Sequence, residues 1–263
     1  MTPQSRGISL SWARVPAAIL VRCLVALTLV PGAAPAQEID DTPTREALFN
    51  KPEARQVSQR LRTEPRLLRS FATCPADTFE RERPVWRRLA KPQEPSERTC
   101  ALHPAECYDL CVRWANGPAC FKLALAFTNH SLDVDDVLDK ERFFALACAL
   151  GYPAGCTNRA AGMRNGRYPG DPLREAPLAS QQECEYRSFR IDCDRRGAWG
   201  CAMLGQAYRN GEGVMAQEAR AQAAFEASCE INPKFAACDF AKQWLSEMET
   251  PRAPADGSAE PAE

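Results

Sequence analysis

Cysteine and histidine have the widest chemical reach of any residues in this 263-residue chain, which holds thirteen of the first and two of the second. A structural zinc site needs cysteine pairs with roughly two to four residues between them. Only Cys107 and Cys111 come near that spacing. The C-x-x-C of a thioredoxin-like redox site does not occur. His103 and His130 stand singly, too few for the histidine-rich ligand set of a catalytic metal, and His130 reads as a solvent-facing turn residue. The acids between Asp133 and Glu141 read as a helix start and its solvated face rather than as a catalytic carboxylate pair. No catalytic residue, metal ligand or cofactor-binding residue is therefore assigned, and no cofactor is expected.

The cysteines instead recur in widely separated pairs: Cys111/Cys120, Cys148/Cys156, Cys193/Cys201 and Cys229/Cys238. Their first members are 37, 45 and 36 residues apart, a period that suits two helices and their turns. The intervals Cys120–Cys148 and Cys201–Cys229 are both 28 residues and overlay without a gap. Leu123 then falls on Leu204, Ala126 on Ala207, Asn129 on Asn210, Phe144 on Phe225, and Phe127 on Tyr208. In the middle unit Arg164-Asn165-Gly166 ends ten residues after Cys156, as Arg209-Asn210-Gly211 ends ten after Cys201. That unit carries a nine-residue insertion before Cys193.

The elements that position these cysteines follow from the apolar spacing. Leu204, Ala207 and Tyr208 lie at i, i+3 and i+4, as do Ala221, Ala224 and Phe225, so each helix has one apolar stripe and two stripes close a hairpin. Gly211-Glu212-Gly213 supplies the backbone freedom to reverse the chain between them, and Gly166 marks the corresponding repeat turn of the middle unit. A phosphate-cradling role for these glycines is unsupported, because no strand precedes them.

The run from Cys201 to Val214 (Cys-Ala-Met-Leu-Gly-Gln-Ala-Tyr-Arg-Asn-Gly-Glu-Gly-Val), followed by an Ala-rich helix ending at Cys229, resembles a Sel-one-like repeat. The cysteine spacing resembles the cysteine-rich, Hcp-like bacterial branch of that family, in which each helical hairpin carries a disulfide. The resemblance extends over about Cys107 to Leu245, with His130 and Leu132 standing where the family has turn glycines. It implies an all-α fold, an α/α solenoid of disulfide-linked helical hairpins. Closeness across a short turn favours pairing Cys111–Cys120, Cys148–Cys156, Cys193–Cys201 and Cys229–Cys238, and the resemblance favours the same arrangement. Pairing within a hairpin, such as Cys120–Cys148, also remains geometrically open. Each short bridge contributes on the order of 2–3 kcal/mol on the chain-entropy account. Cys74, Cys100, Cys107 and Cys184 are left without assigned partners.

Four segments are expected. Residues 1–36 read as a signal peptide: Arg6, Arg14 and Arg22 precede the apolar run Cys23–Val30, and Ala34-Pro35-Ala36 offers a cleavage site before Gln37. Cleavage would remove Cys23, leaving an even twelve cysteines for an oxidising compartment, and would leave 30 basic and 34 acidic residues. Residues 37–105 are an Arg- and Pro-containing, partly helical region, with a helix over Glu53–Phe71 broken or kinked at Pro65 and irregular chain from Pro84 to Pro104. Residues 106–248 are the repeat domain, closed by an amphipathic helix over Phe235–Leu245, and 249–263 a disordered tail.

The charge balance points away from a nucleic-acid partner. Arg81, Arg83, Arg87 and Arg88 alternate with Glu80 and Glu82 and read as a compensated, solvated face. The expectation is a periplasmic or secreted, noncatalytic protein with a protein or peptide partner and no stable membrane span. Arg209, Asn210 and Glu212 are candidate surface contacts; Trp114, Trp199 and Tyr208 are expected to pack between helices. Because some Hcp-like proteins are penicillin binders or weak β-lactamases, a hydrolase is the alternative, although S-x-x-K, S-D-N and K-T-G are all absent. A passive structural module is a third class.

Overall fold

The computed structural model describes residues 51–88, 93–129, 132, 136–166 and 168–249. The signal peptide, the cleavage point before Gln37, His130, Asp133 and the tail beyond Glu249 lie outside the described residues. Those described are all α, with twelve α-helices and no strand.

Helix α1 (Lys51–Leu61) buries Ala54, Val57, Ser58 and Leu61, one stripe at helical spacing. It ends before α2 (Pro65–Phe71), where Pro65 takes the first helical position and the Glu64 carboxylate accepts from the Arg66 N–H. Helix α3 (Pro75–Thr78) follows, then a 3₁₀ turn at Val85–Arg88. Among the described residues from Pro84 to Pro104 the chain is less irregular than its prolines suggest. Ser96 accepts the Thr99 N–H at 3.0 Å and starts α4 (Glu97–Leu102), while Pro104 occupies the first turn of α5 (Pro104–Val112), where it has no helical N–H to lose.

The regular stack continues with α6 (Gly117–Asn129), α7 (Asp139–Ala149), α8 (Pro153–Gly166), α9 (Leu178–Asp194), α10 (Ala198–Asn210), α11 (Glu218–Ile231) and α12 (Ala236–Glu249). Each helix packs on the next in antiparallel hairpins, and α6, α8, α10 and α12 also pack on one another in a row. This is an α/α solenoid of disulfide-linked hairpins. Helices α1–α3 run along the other row: α1 lies on α5, α2 on α7, and α3 reaches α7, α8 and α9. The non-repeating N-terminal segment is thus a strap across three units.

Both expected stripes, Leu204/Ala207/Tyr208 and Ala221/Ala224/Phe225, are buried. Gly211 ends α10 at φ 73° with its N–H on the Ala207 carbonyl, and Gly213 follows at φ 70°. Gly166, in register with Gly211, behaves differently. It remains inside α8, and the left-handed glycine of that connection is Gly170 (φ 82°). The longer middle connection moves the reversal downstream, and the Tyr168 ring presses where a Cβ at Gly166 would stand.

The residue before the second cysteine of each pair is small and buried: Ala119, Gly155, Gly200 and Ala237. A Cβ at Gly155 would stand 2.7 Å from the Cys148 backbone nitrogen, and one at Gly200 would stand 2.7 Å from that of Cys193. Backbones touch here, so Gly200→Val is expected to cost about 1–3 kcal/mol through overpacking, read as a lower urea midpoint with unchanged m-value.

Candidate functional site

Six cysteine pairs stand at disulfide geometry. Cys111–Cys120, Cys148–Cys156, Cys193–Cys201 and Cys229–Cys238 each join a helix end to the start of the next helix, with Cα–Cα distances of 4.7, 4.7, 4.5 and 4.4 Å. The remaining four cysteines form Cys100–Cys107 and Cys74–Cys184, the latter spanning 110 residues and tying the strap to α9. Arg187 reinforces that tie through Asp77 at 2.8 Å. Among the described residues, no group of three or more His, Cys, Asp or Glu is placed to hold a metal, and no helix is long and apolar enough to cross a membrane.

The surface candidates near the last turn are engaged within the chain. Arg209 pairs with Glu247 at 2.9 Å and lies over the Trp244 ring, Asn210 donates to Glu212, and Glu212 pairs with Arg164. Trp199 packs against Phe235 and Phe240, and Tyr208 against Tyr186. Trp114 departs from expectation. It is 59% exposed, because it follows the end of α5, where its backbone is held, the N–H on the Asp109 carbonyl and the carbonyl by the Arg87 guanidinium, but its ring is left outside the stack. Within the Glu80–Arg87 stretch Arg83 pairs with Glu80, whereas Glu82 pairs outside it with Arg66 and Arg69 of α2, and Glu80, Glu82 and Arg83 are half-buried rather than fully solvated.

The larger correction concerns Asp133–Glu141. Asp139 and Glu141, in the first turn of α7, are both buried, on different sides of the helix: Asp139 faces Ser58 of α1 and Arg62, and Glu141 faces Arg159 and Gly162 of α8. Asp139 meets Arg142 at 2.6 Å and Arg62 at 3.6 Å. Glu141 faces Arg159, itself fully buried, whose two terminal nitrogens both donate to Asp171 at 2.6 Å; Nη2 also donates to the Phe71 carbonyl. Glu141 Oε2 is 3.6 Å from Arg159 Nη1, accepts no hydrogen bond, and lies against Gly162, where any Cβ would collide with it.

Glu141 borders a cavity of about 380 Å³ at the ends of α6, α7 and α8. Leu125, Phe144 and Ala161 give it an apolar wall; Asn129, Asn158 and Asn165 give it amides. Lys140 also borders it, with Nζ over the Tyr168 ring. Asn129 and Asn165 share one register position with Asn210, nine residues after Cys120, Cys156 and Cys201, and all three are exposed. Such a row could have been found in the sequence alignment. The burial of Glu141 could not, since it depends on Arg159 and Gly162 of the next helix.

No family model, curated protein or solved structure matches the chain. Its chemistry must be read from its own side chains.

Burial pushes the Glu141 carboxyl up to about 7, against the pull of Arg159 and Lys140 and with Asp171 adding to the rise. Burial likewise pushes Glu185 to about 7, opposed by Arg164. Asp139 and Asp192 are also raised by burial, the latter opposed by hydrogen bonds from Thr157 and the Gly200 N–H. For these acids the folded chain holds a proton that the unfolded chain releases, so their stabilisation is present below the unfolded carboxyl pKa and is lost as pH rises through the folded one. Asp136 runs the other way: burial opposes, but the Leu138 N–H and Arg142 hold its carboxyl low, so its contribution fades only in acid. The melting temperature is therefore expected to fall from pH 5 to pH 8. Glu141 and Glu185 each contribute a loss on the order of 3 kcal/mol. Calorimetry across that window checks this, and Glu141→Gln should flatten the slope.

Proposed function

We propose that this chain is an exported, noncatalytic scaffold that binds a protein or peptide along the α6/α8/α10/α12 row of its solenoid. The observation that carries the reading is the register-matched set Asn129, Asn165 and Asn210, exposed at the C-terminal ends of α6, α8 and α10, which pack side by side in one row. A carboxamide offers both donors and an acceptor, the complement of an extended peptide backbone; Asn129 and Asn210 each give one N–H within the chain, to Glu97 and Glu212, which orients the amide and leaves the second N–H and the oxygen for a ligand that runs along the stack. The resemblance to Sel-one-like repeats supports the same reading. Disulfides at the α5/α6, α7/α8, α9/α10 and α11/α12 turns hold the hairpins in place before binding, which lowers the ordering cost of association, and a set of six suits an oxidising compartment. Signal-peptide cleavage before Gln37 belongs to this proposal.

The test is crosslinking capture of partners from the native envelope with the oxidised protein, in parallel with Ala161→Arg, which fills the groove without touching a cysteine. A partner retained by the wild type and lost by the variant supports the proposal. Identical captures from both would refute it, and turnover of a β-lactam by the purified protein would favour a hydrolase.

A further inference from the structure

We infer that the cavity between α6, α7 and α8 is a receptor for a primary ammonium on an aliphatic stem, the side chain of a partner's lysine, with Glu141 as its counter-ion. This deepens the proposed binding role and rests on it for the partner, but not for the chemistry of the cavity.

Two acids face one guanidinium at this point. Asp171 takes both terminal nitrogens of Arg159 at 2.6 Å, leaving Glu141 with a contact of 3.6 Å and an Oε2 atom that accepts nothing but is shielded by its surroundings, so an ammonium meets it only as the cavity wall gives way. Lys140 is the other cation bordering the cavity, and its ammonium sits over the Tyr168 ring, 5.4 Å from the centroid. A buried carboxylate short of hydrogen bonds is best satisfied by a charged donor, which gains both a hydrogen bond and a counter-charge. The walls suit the rest of such a side chain. Leu125, Phe144 and Ala161 can cover methylene groups while the amide oxygens of Asn129 and Asn165 accept from the remaining ammonium protons. The volume of about 380 Å³ is at the small end of ligand sites, enough for a side chain and too little for a folded element. Binding should release the proton that burial keeps on Glu141, so it should strengthen as pH rises from 6 to 8.

The probes are Nα-acetyl-lysine N-methylamide, its neutral norleucine counterpart and n-butylamine, titrated into the oxidised full-length protein. The readout is NMR shifts of the Asn129 and Asn165 side-chain amides and the Tyr168 ring. Saturable shifts are expected with the lysine probe, at least tenfold weaker with norleucine, and stronger at pH 8 than at pH 6. A lysine probe that binds more tightly than n-butylamine marks a peptide-borne ammonium; the reverse order would overturn the assignment to a partner's lysine. Glu141→Gln should abolish the response. If that variant unfolds, Asn165→Ala at the exposed rim should still weaken binding severalfold with an unchanged melting temperature. Equal binding of lysine and norleucine probes, or no saturable shift, would overturn the inference. Capture that survives such a result leaves the scaffold reading standing, whereas probe binding with no groove-dependent partner would remove the scaffold reading alone.

Discussion

Replacing both Cys74 and Cys184 with alanine should lower stability by about 4–5 kcal/mol, more than removal of any of the short bridges. The reason is the length of chain closed. Cys74–Cys184 spans 110 residues, whereas the other five span between 7 and 9. On the chain-entropy account the stabilisation grows with the logarithm of loop length, from roughly 2–3 kcal/mol for the short loops to about 4–5 kcal/mol near one hundred residues. The loss should also have a place. The bridge fastens α3 to α9, and α1–α3 cover α5, α7 and α9 without reaching α12. A repeat stack is stabilised by neighbours, so the release should be felt along the strap and fade towards the C-terminal units. Hydrogen exchange is expected to show lost protection over α2 and α3, with α10–α12 retained, and the melting temperature should drop by on the order of 10 °C. Uniform protection in the double variant, with an unchanged melting temperature, would mean that Arg187–Asp77 and apolar packing hold the strap unaided.

The strap also explains which parts of the fold were legible. The repeat could be read because its determinants are local. Leu204, Ala207 and Tyr208 announce a helix face within one turn, and Gly211 announces its end within the next. The break at Pro65 was legible for the same reason. Cys74–Cys184 was not, because nothing near either cysteine specifies a partner 110 residues away. Glu141 was misread as solvated because its surroundings, Lys140 and Arg142, are those of a surface helix. Its burial is imposed by Gly162 and Arg159 from α8, which lie beyond the turn. Gly166 aligned with Gly211 in sequence yet stays helical, since the inserted residues shift the reversal to Gly170. The exposed amides were visible as an alignment of Asn129 with Asn210, but which row they stand on follows only from where α1–α3 pack.

Arg159 joins the pieces that the sequence left separate, and its loss should be the most damaging single substitution outside the cysteines. It belongs to α8, yet its guanidinium lies over the Phe71 ring and donates to the Phe71 carbonyl at the end of α2, binds Asp171 from the longer middle connection, and faces Glu141 of α7. The extra residues of the middle unit thus place a buried carboxylate that also receives the Leu173 N–H. Arg159→Ala would leave Asp171 and Glu141 buried with their shared cation gone. Breaking a buried pair from one side costs about 3–5 kcal/mol, because the penalty falls on the acid left behind. The variant Arg159→Met with Asp171→Leu removes both charges and keeps apolar volume, so it should recover much of that loss. Denaturant midpoints for Arg159→Met, Asp171→Leu and the double give the coupling directly, and a value of at least about 2 kcal/mol is expected. Additive losses would show that Asp171 is satisfied by its backbone contact, so that Arg159 acts mainly by packing on Phe71.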